Sequence, residues 1–146
     1  MVKYLSIIIV LLGMIFPVAN FSNKENQEYL SVKLSGKSIN LAVADNEKEQ
    51  YAGLSNRPQL CSNCGMIFIF DNPRIRYFVM REMLFPIDIV WLKDNKIIGY
   101  VDGAKIENPP YTLYTSPEPV NIVLELPAGY IKNNKILVND ILEYGQ

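Results

Sequence analysis

The chain of 146 residues contains no histidine. That absence removes Ser-His-Asp and Cys-His catalysis, histidine-ligated zinc and histidine-based pH switching. Any acid–base chemistry must fall to carboxylates, lysine, tyrosine or a thiol. Cysteine is scarce, with two residues in all, and two thiols supply half of the four ligands a structural zinc needs. No metal and no cofactor is therefore expected. Charge is close to balanced at −1, which argues against nucleic acid or anionic lipid as a partner recognised through bulk charge. Internal repeats and low-complexity tracts are also missing.

The N-terminus holds the one long apolar run. Lys3 precedes it, Tyr4 to Phe16 is interrupted by Ser6 and Gly13 alone, and Pro17 ends it. One positive charge followed by such a run reads as a secretory signal peptide or an N-terminal membrane anchor over residues 1–19. Val18, Ala19 and Asn20 make a poor cleavage site, and Tyr4 to Ala19 is slightly short of the roughly 17–25 residues of a full span. Residues 20–27 are polar and aperiodic and read as a linker. The folded domain is expected over residues 28–146. Without residues 1–19 the chain loses Lys3 and no acid, leaving a formal charge of −2. The expected location is extracytoplasmic, with membrane contact through the N-terminal segment if it is uncleaved.

The remainder alternates between short apolar runs and turns. Leu30, Val32 and Leu34 oppose Ser31 and Lys33. A turn at Ser35 to Lys37 then leads to a second alternating run from Ile39 to Val43, giving a hairpin. Asp45 reads as a helix N-cap and Gly53 as its stop, with Ala52 and Leu54 facing inward. Met66 to Phe70, too short for a helix, reads as a buried strand bounded by Asp71, Asn72 and Pro73. Arg76 to Met80 and Ile87 to Lys93 read as two more strands, and Asp94 and Asn95 turn the latter into Lys96 to Val101. Val120 to Leu126 alternates, Pro127 opens a short helix or turn through Asn133, and Ile136 to Tyr144 offers one or two closing strands. The fold class is mainly β: a small, partly closed β-barrel or rolled sheet with one short α-helix.

Several of these runs together resemble a known family. Gly65 to Phe70, then Phe78 to Met80, Pro86 to Ile89, and Val123 to Leu126 with Ala128 and Gly129, preceded by the helix from Ala44 and Asp45 to Gly53 and Leu54 and by Arg57, resemble the DUF192 (UPF0127) family over residues 30–144. The resemblance implies an exported or membrane-tethered, β-rich domain and supplies no settled activity. The chain departs from that pattern at two places. Val79 and Arg81, Glu82 and Met83 stand near the family's Trp and Lys-Asn-Thr, and Asn139 and Asp140 stand for its late Gly-Asp.

Cys61 and Cys64 are read first as a disulfide pinning a loop. An exchangeable redox pair, half of a metal or intersubunit site, and free thiols are the alternatives. The candidate ligand-binding residues are Arg57, Phe78, Met80, Arg81, Asp88 and Tyr114, because arginine beside aromatics suits planar anionic or sugar ligands. The competing reading has aromatics in the core and arginines on a solvated rim, with Met66, Met80 and Met83 as packing. Asp88, if turned inward, needs a partner, with Arg81 or Arg57 as the candidates. No catalytic residue can be named. The reading preferred is a non-catalytic extracytoplasmic module that binds a small molecule or an envelope component. The alternatives are a thiol-redox or carboxylate enzyme, the latter pairing Asp88 with Glu82 or Glu125, and a structural or assembly protein of the cell surface.

Overall fold

The alternating runs build one seven-stranded sheet in the computed structural model, which describes residues 27–145. Its elements in chain order are β1 (Tyr29–Leu34), β2 (Lys37–Ala44), α1 (Glu47–Ala52), β3 (Cys64–Arg74), β4 (Tyr77–Phe78), β5 (Ile87–Lys93), β6 (Lys96–Ala104), β7 (Tyr114–Thr115), β8 (Val120–Pro127), α2 (Tyr130–Asn134) and β9 (Leu142–Tyr144). The sheet runs β6-β5-β8-β3-β2-β1-β9, and β4 and β7 form a separate two-stranded ribbon. The expected signal or anchor segment and nearly all of the expected linker lie outside the described residues. Within those residues no helix is long and apolar enough to cross a membrane.

Both expected hairpins are present. Ser35 (φ 48°) and Gly36 (φ 75°) turn β1 into β2, the pair of left-handed residues that matches strand twist. Asp94 (φ 57°) begins the turn between β5 and β6. The Arg76 to Met80 run shrinks to the two residues of β4, while β3 continues past Phe70 to Arg74 with an irregular register against β8. α1 is capped one residue later than Asp45: the Asn46 side chain accepts from the Glu49 N–H at 3.1 Å. Leu54 is buried as expected, but Ala52 is exposed. A second short helix, α2, follows Pro127.

The sheet buries both faces. Val32, Leu34, Ile39, Leu41, Ile67, Val90, Leu92, Leu124, Leu126 and Leu142 form one cluster. It draws on strands from opposite edges of the sheet, so this is the inner face of a curl. The edges meet at one end, where Lys96 bridges Ile141 and the Ile97 N–H donates to the Asp140 carbonyl at 3.0 Å. This is the partly closed barrel expected from the sequence. The outer face carries Met66, Phe68, Ile87, Ile89, Trp91 and Val123, covered by Leu54, Met80 and Met83. Each fully buried side chain of that size stabilises by about 1.5–3 kcal/mol.

All strand pairs in the large sheet are antiparallel except β2 with β3. A parallel pair needs a crossover, and here it consists of α1 and residues 53–63. Gly65 marks a point of close approach on β3. A Cβ there would lie 2.6 Å from the Glu125 carbonyl oxygen and 2.9 Å from both Leu41 Cδ2 and Leu126 Cδ2.

Candidate functional site

The crossover and the segment between β4 and β5 leave a cleft of about 370 Å³ on the outer face. α1 and its exit contribute Gln50, Tyr51, Gly53 and Leu54. The sheet contributes Phe68 and Phe70 from β3 and Glu125 from β8, and Arg76, Tyr77, Phe78, Arg81 and Met83 complete the wall. The walls are tied in place. The Gln50 side chain donates to the Ile69 carbonyl at 2.8 Å, and the Ser55 hydroxyl to the Arg81 carbonyl at 2.7 Å. The Asn56 N–H donates to the Glu82 carbonyl at 2.8 Å. Arg76 is held by an exchange with buried Ser116: its N–H donates to the Ser116 hydroxyl, and its carbonyl accepts from the Ser116 N–H.

Aromatic rings line one side. Phe68 meets Phe78 edge-on at 4.9 Å, and Phe78 meets Trp91 at 5.4 Å. Two guanidinium groups lie over rings, Arg76 on Phe70 at 3.7 Å and Arg81 on Tyr51 at 3.8 Å. Each such contact is attractive through the ring quadrupole. The Arg81 guanidinium also donates to the Tyr51 carbonyl, and that of Arg76 donates to the Asn72 carbonyl at 2.7 Å. Burial, reinforced by the neighbouring charge of Arg74, lowers the Arg76 pKa from its ordinary value.

Glu125 is the only carboxylate among the residues lining this cleft. It projects from β8 on the face of Val123 and Phe68 and is buried. Burial pushes its carboxyl up to about 8, against the opposing pull of the Arg57 guanidinium and of a hydrogen bond from the Leu54 N–H. Its Oε2 has no hydrogen-bond partner among the described residues, and neither has Arg76 Nε. Buried polar atoms are otherwise almost always satisfied.

The sequence candidates separate into four groups. Phe78 and Arg81 line the cleft. Tyr114 supports it, pairing with Phe78 across the β4–β7 ribbon, and Arg57 acts on Glu125 through its charge while donating to Gln27 at 3.0 Å. Met80 is buried in the outer cluster as packing. Asp88 lies elsewhere. It is fully buried, and its partners are backbone amides rather than an arginine. Oδ1 accepts from the Gly103 N–H at 2.9 Å and the Gly129 N–H at 3.1 Å, and Oδ2 from the Ile131 N–H at 2.9 Å. Gly103 (φ 72°) occupies the bulge where β6 sets two residues opposite Asp88, and Gly129 (φ 81°) opens α2. The Pro86 to Ile89 and Ala128–Gly129 motifs are thus one cluster joining β5, β6 and α2.

Cys61 and Cys64 are joined by a disulfide, with Cα atoms 5.1 Å apart. Cys64 opens β3 rather than a helix, whose N-terminus is the position that lowers a thiol pKa in redox enzymes, and neither cysteine lines the cleft. Among the described residues no group of three or more acidic or cysteine side chains is placed to hold a metal ion.

The sequence matches the DUF192 family, described as "Uncharacterized ACR", over residues 30–144. The chain belongs to the DUF192 family. No curated protein matches it. Two solved structures share the fold. A protein from Sinorhizobium meliloti 1021, named as a candidate transcription regulator, is 27% identical with a TM-score of 0.75, over 81% of this chain and 95% of that one. A protein of unknown function from Novosphingobium aromaticivorans DSM 12444 is 24% identical with a TM-score of 0.74, over 84% and 89% respectively. The DUF192 motifs therefore divide between two places. Pro86 to Ile89 and Ala128–Gly129 build the Asp88 cluster, whereas Phe78 and Glu125 belong to the cleft.

Glu125 was singled out from the sequence only as one half of an acid pair. What gives it a distinct role is the exit of α1, where Gly53 and Leu54 meet Glu125 from roughly 70 residues away in sequence, and no local pattern announces that. Arg76, the other cleft residue with an unpartnered atom, enters the sequence reading only as the first residue of a strand.

Proposed function

We propose that this DUF192 domain is a non-catalytic module that binds a small ligand in the cleft between α1, β3 and the segment following β4. The observation that carries the reading is the unpartnered Oε2 of Glu125, buried in an aromatic-walled cleft that also holds the unpartnered Nε of Arg76. Concave sites with apolar walls and a few convergent polar groups are the usual form of small-molecule sites. A buried acceptor without a partner costs stability, and a ligand donor would relieve that cost. The apolar run before Pro17 supports an extracytoplasmic setting.

The carboxylate-enzyme alternative has less support. Asp88 and Glu125 project from opposite faces of the sheet, so they do not flank one groove in the way glycoside hydrolysis requires.

The test is a fragment screen by thermal shift and ligand-observed NMR, on the parent and on Phe78→Ala. Binders whose signals disappear in the variant support the reading. A screen without cleft binders, or turnover abolished by Glu125→Gln, replaces it.

A further inference from the structure

The cleft is electrically bipolar. Glu125 supplies one carboxyl from the sheet, with one oxygen taken by the Leu54 N–H and the other without a partner. Arg76 and Arg81 supply two guanidinium groups in the wall. Tyr51 and Tyr77 are the other titratable groups lining the space, and Arg57 acts on Glu125 from the crossover. A singly charged cation would meet the carboxyl but also two guanidinium groups. A singly charged anion would satisfy the arginines and leave the buried oxygen as it is. A molecule carrying both signs at its ends suits both sites, and aromatic faces beside a carboxylate favour an ammonium over a neutral donor. The volume of about 370 Å³ is at the lower end of the range for small-molecule sites.

Resting on the ligand-binding reading above, the geometry points to a subsite for a small zwitterion with an apolar body, its ammonium end against Glu125 Oε2 and its anionic end against Arg76 and Arg81.

This assignment has a proton signature. Burial holds the Glu125 carboxyl protonated up to about pH 8. An ammonium requires the ionised form, so binding releases the Glu125 proton to solvent. Affinity then rises with pH from about 6 to 8, by up to about tenfold per unit. A ligand that accepts from the protonated carboxyl shows the reverse trend.

The experiment is calorimetric titration of the whole protein between pH 6 and 8.5. The zwitterionic probes are 4-(aminomethyl)benzoate and 6-aminohexanoate. The controls are 2-phenylethylamine, 3-phenylpropanoate and benzyl alcohol. At least one zwitterion should bind about tenfold or more tightly than any control, tighten as pH rises and release a proton at pH 7. Glu125→Gln should abolish its advantage over the anion, and Arg76→Gln its advantage over the cation. If 3-phenylpropanoate binds as well as both zwitterions and ignores Glu125→Gln, the cleft is an anion site. If benzyl alcohol binds as well, it is an apolar one. In both cases the zwitterion assignment falls while the ligand-binding reading stands. If no probe binds but fragments do, the zwitterion assignment alone falls, and if neither binds, both readings fall.

Discussion

Asp88 and Glu125 lie one register step apart on adjacent strands, where Asp88 pairs with Leu126 and Ile89 with Glu125, yet they project from opposite faces of the sheet. Both are buried carboxyls. Asp88 accepts three backbone N–H groups, whereas Glu125 accepts one and keeps a free oxygen. The first arrangement is that of a structural clamp, and the second leaves capacity for something that is not part of the chain.

Asp88→Asn should therefore destabilise the fold. An amide NH2 cannot accept, so at least one of the Gly103, Gly129 and Ile131 N–H groups loses its partner. The expected cost is about 2–4 kcal/mol, read from urea unfolding midpoints. A variant as stable as the parent would show that the clamp contributes little.

Glu125→Gln should behave in the opposite way, and in a pH-dependent manner. Its carboxyl titrates near 8 in the fold but near 4.3 in an unfolded chain. Protonation is thus favoured by folding. The stability linked to this group is fully present below the unfolded pKa and is lost as pH rises through the folded one. Relative to Glu125→Gln, the parent should lose a few kcal/mol between about pH 4.5 and 8. Paired urea melts across that range would show a flat difference if the carboxyl titrates normally.

Gly65→Ala places a methyl group within 3 Å of the Glu125 carbonyl oxygen and of the Leu41 and Leu126 side chains. Overpacking of that kind costs about 1–3 kcal/mol, measurable as a lowered Tm. The carbonyl belongs to β8, so the strain also tests the β3–β8 spacing.

Replacing Cys61 and Cys64 together by serine removes a four-residue loop closure, worth about 2 kcal/mol in the chain-entropy account. Cleft ligands should bind the double variant as they bind the parent, because neither cysteine lines the cleft. A large loss of affinity would tie the disulfide to the site.

Glu82 (φ 53°) and Asn139 (φ 78°) are both in the left-handed region, which side chains other than Asn and Gly adopt at a cost. By the family resemblance they stand near the Asn of Lys-Asn-Thr and for the Gly of the late Gly-Asp. Those motif residues answer a backbone requirement, and Glu82→Asn should stabilise by about 0.5–1 kcal/mol. Chemical denaturation decides this, and an unchanged midpoint would remove the explanation.

The hairpins were legible because their signals are local: period-two alternation in β1 and β2, an apolar run in β5, and turn residues at Ser35, Gly36, Asp94 and Asn95. The partly closed barrel followed from the number of short strands. Less visible was the two-sided burial of β8. Its alternation of Val120, Ile122, Leu124 and Leu126 against Asn121, Val123 and Glu125 reads as one buried face and one wet face. The second face is dry because Leu54, just past α1, and the segment around Met80 and Met83 cover it. The same long-range cover separates Glu125 from an ordinary surface acid. Asp71, Asn72 and Pro73 looked like a boundary, yet β3 absorbs them as an irregular extension. The Asp88 partners were out of reach for another reason, since backbone amides carry no sequence signature.

The curl also has a consequence in time. β1 is flanked by β2 and by β9, the first described strand by the last, and Ile97 finds its partners at Asn139 and Asp140. No stretch of chain leaving a ribosome can close this sheet before residues 139–144 arrive. Contacts so distant in sequence are slow to form, and until then β1 presents an open edge. Truncation before Leu142 should leave a chain that collapses but remains sticky, so β9 acts as the gate on closing the sheet.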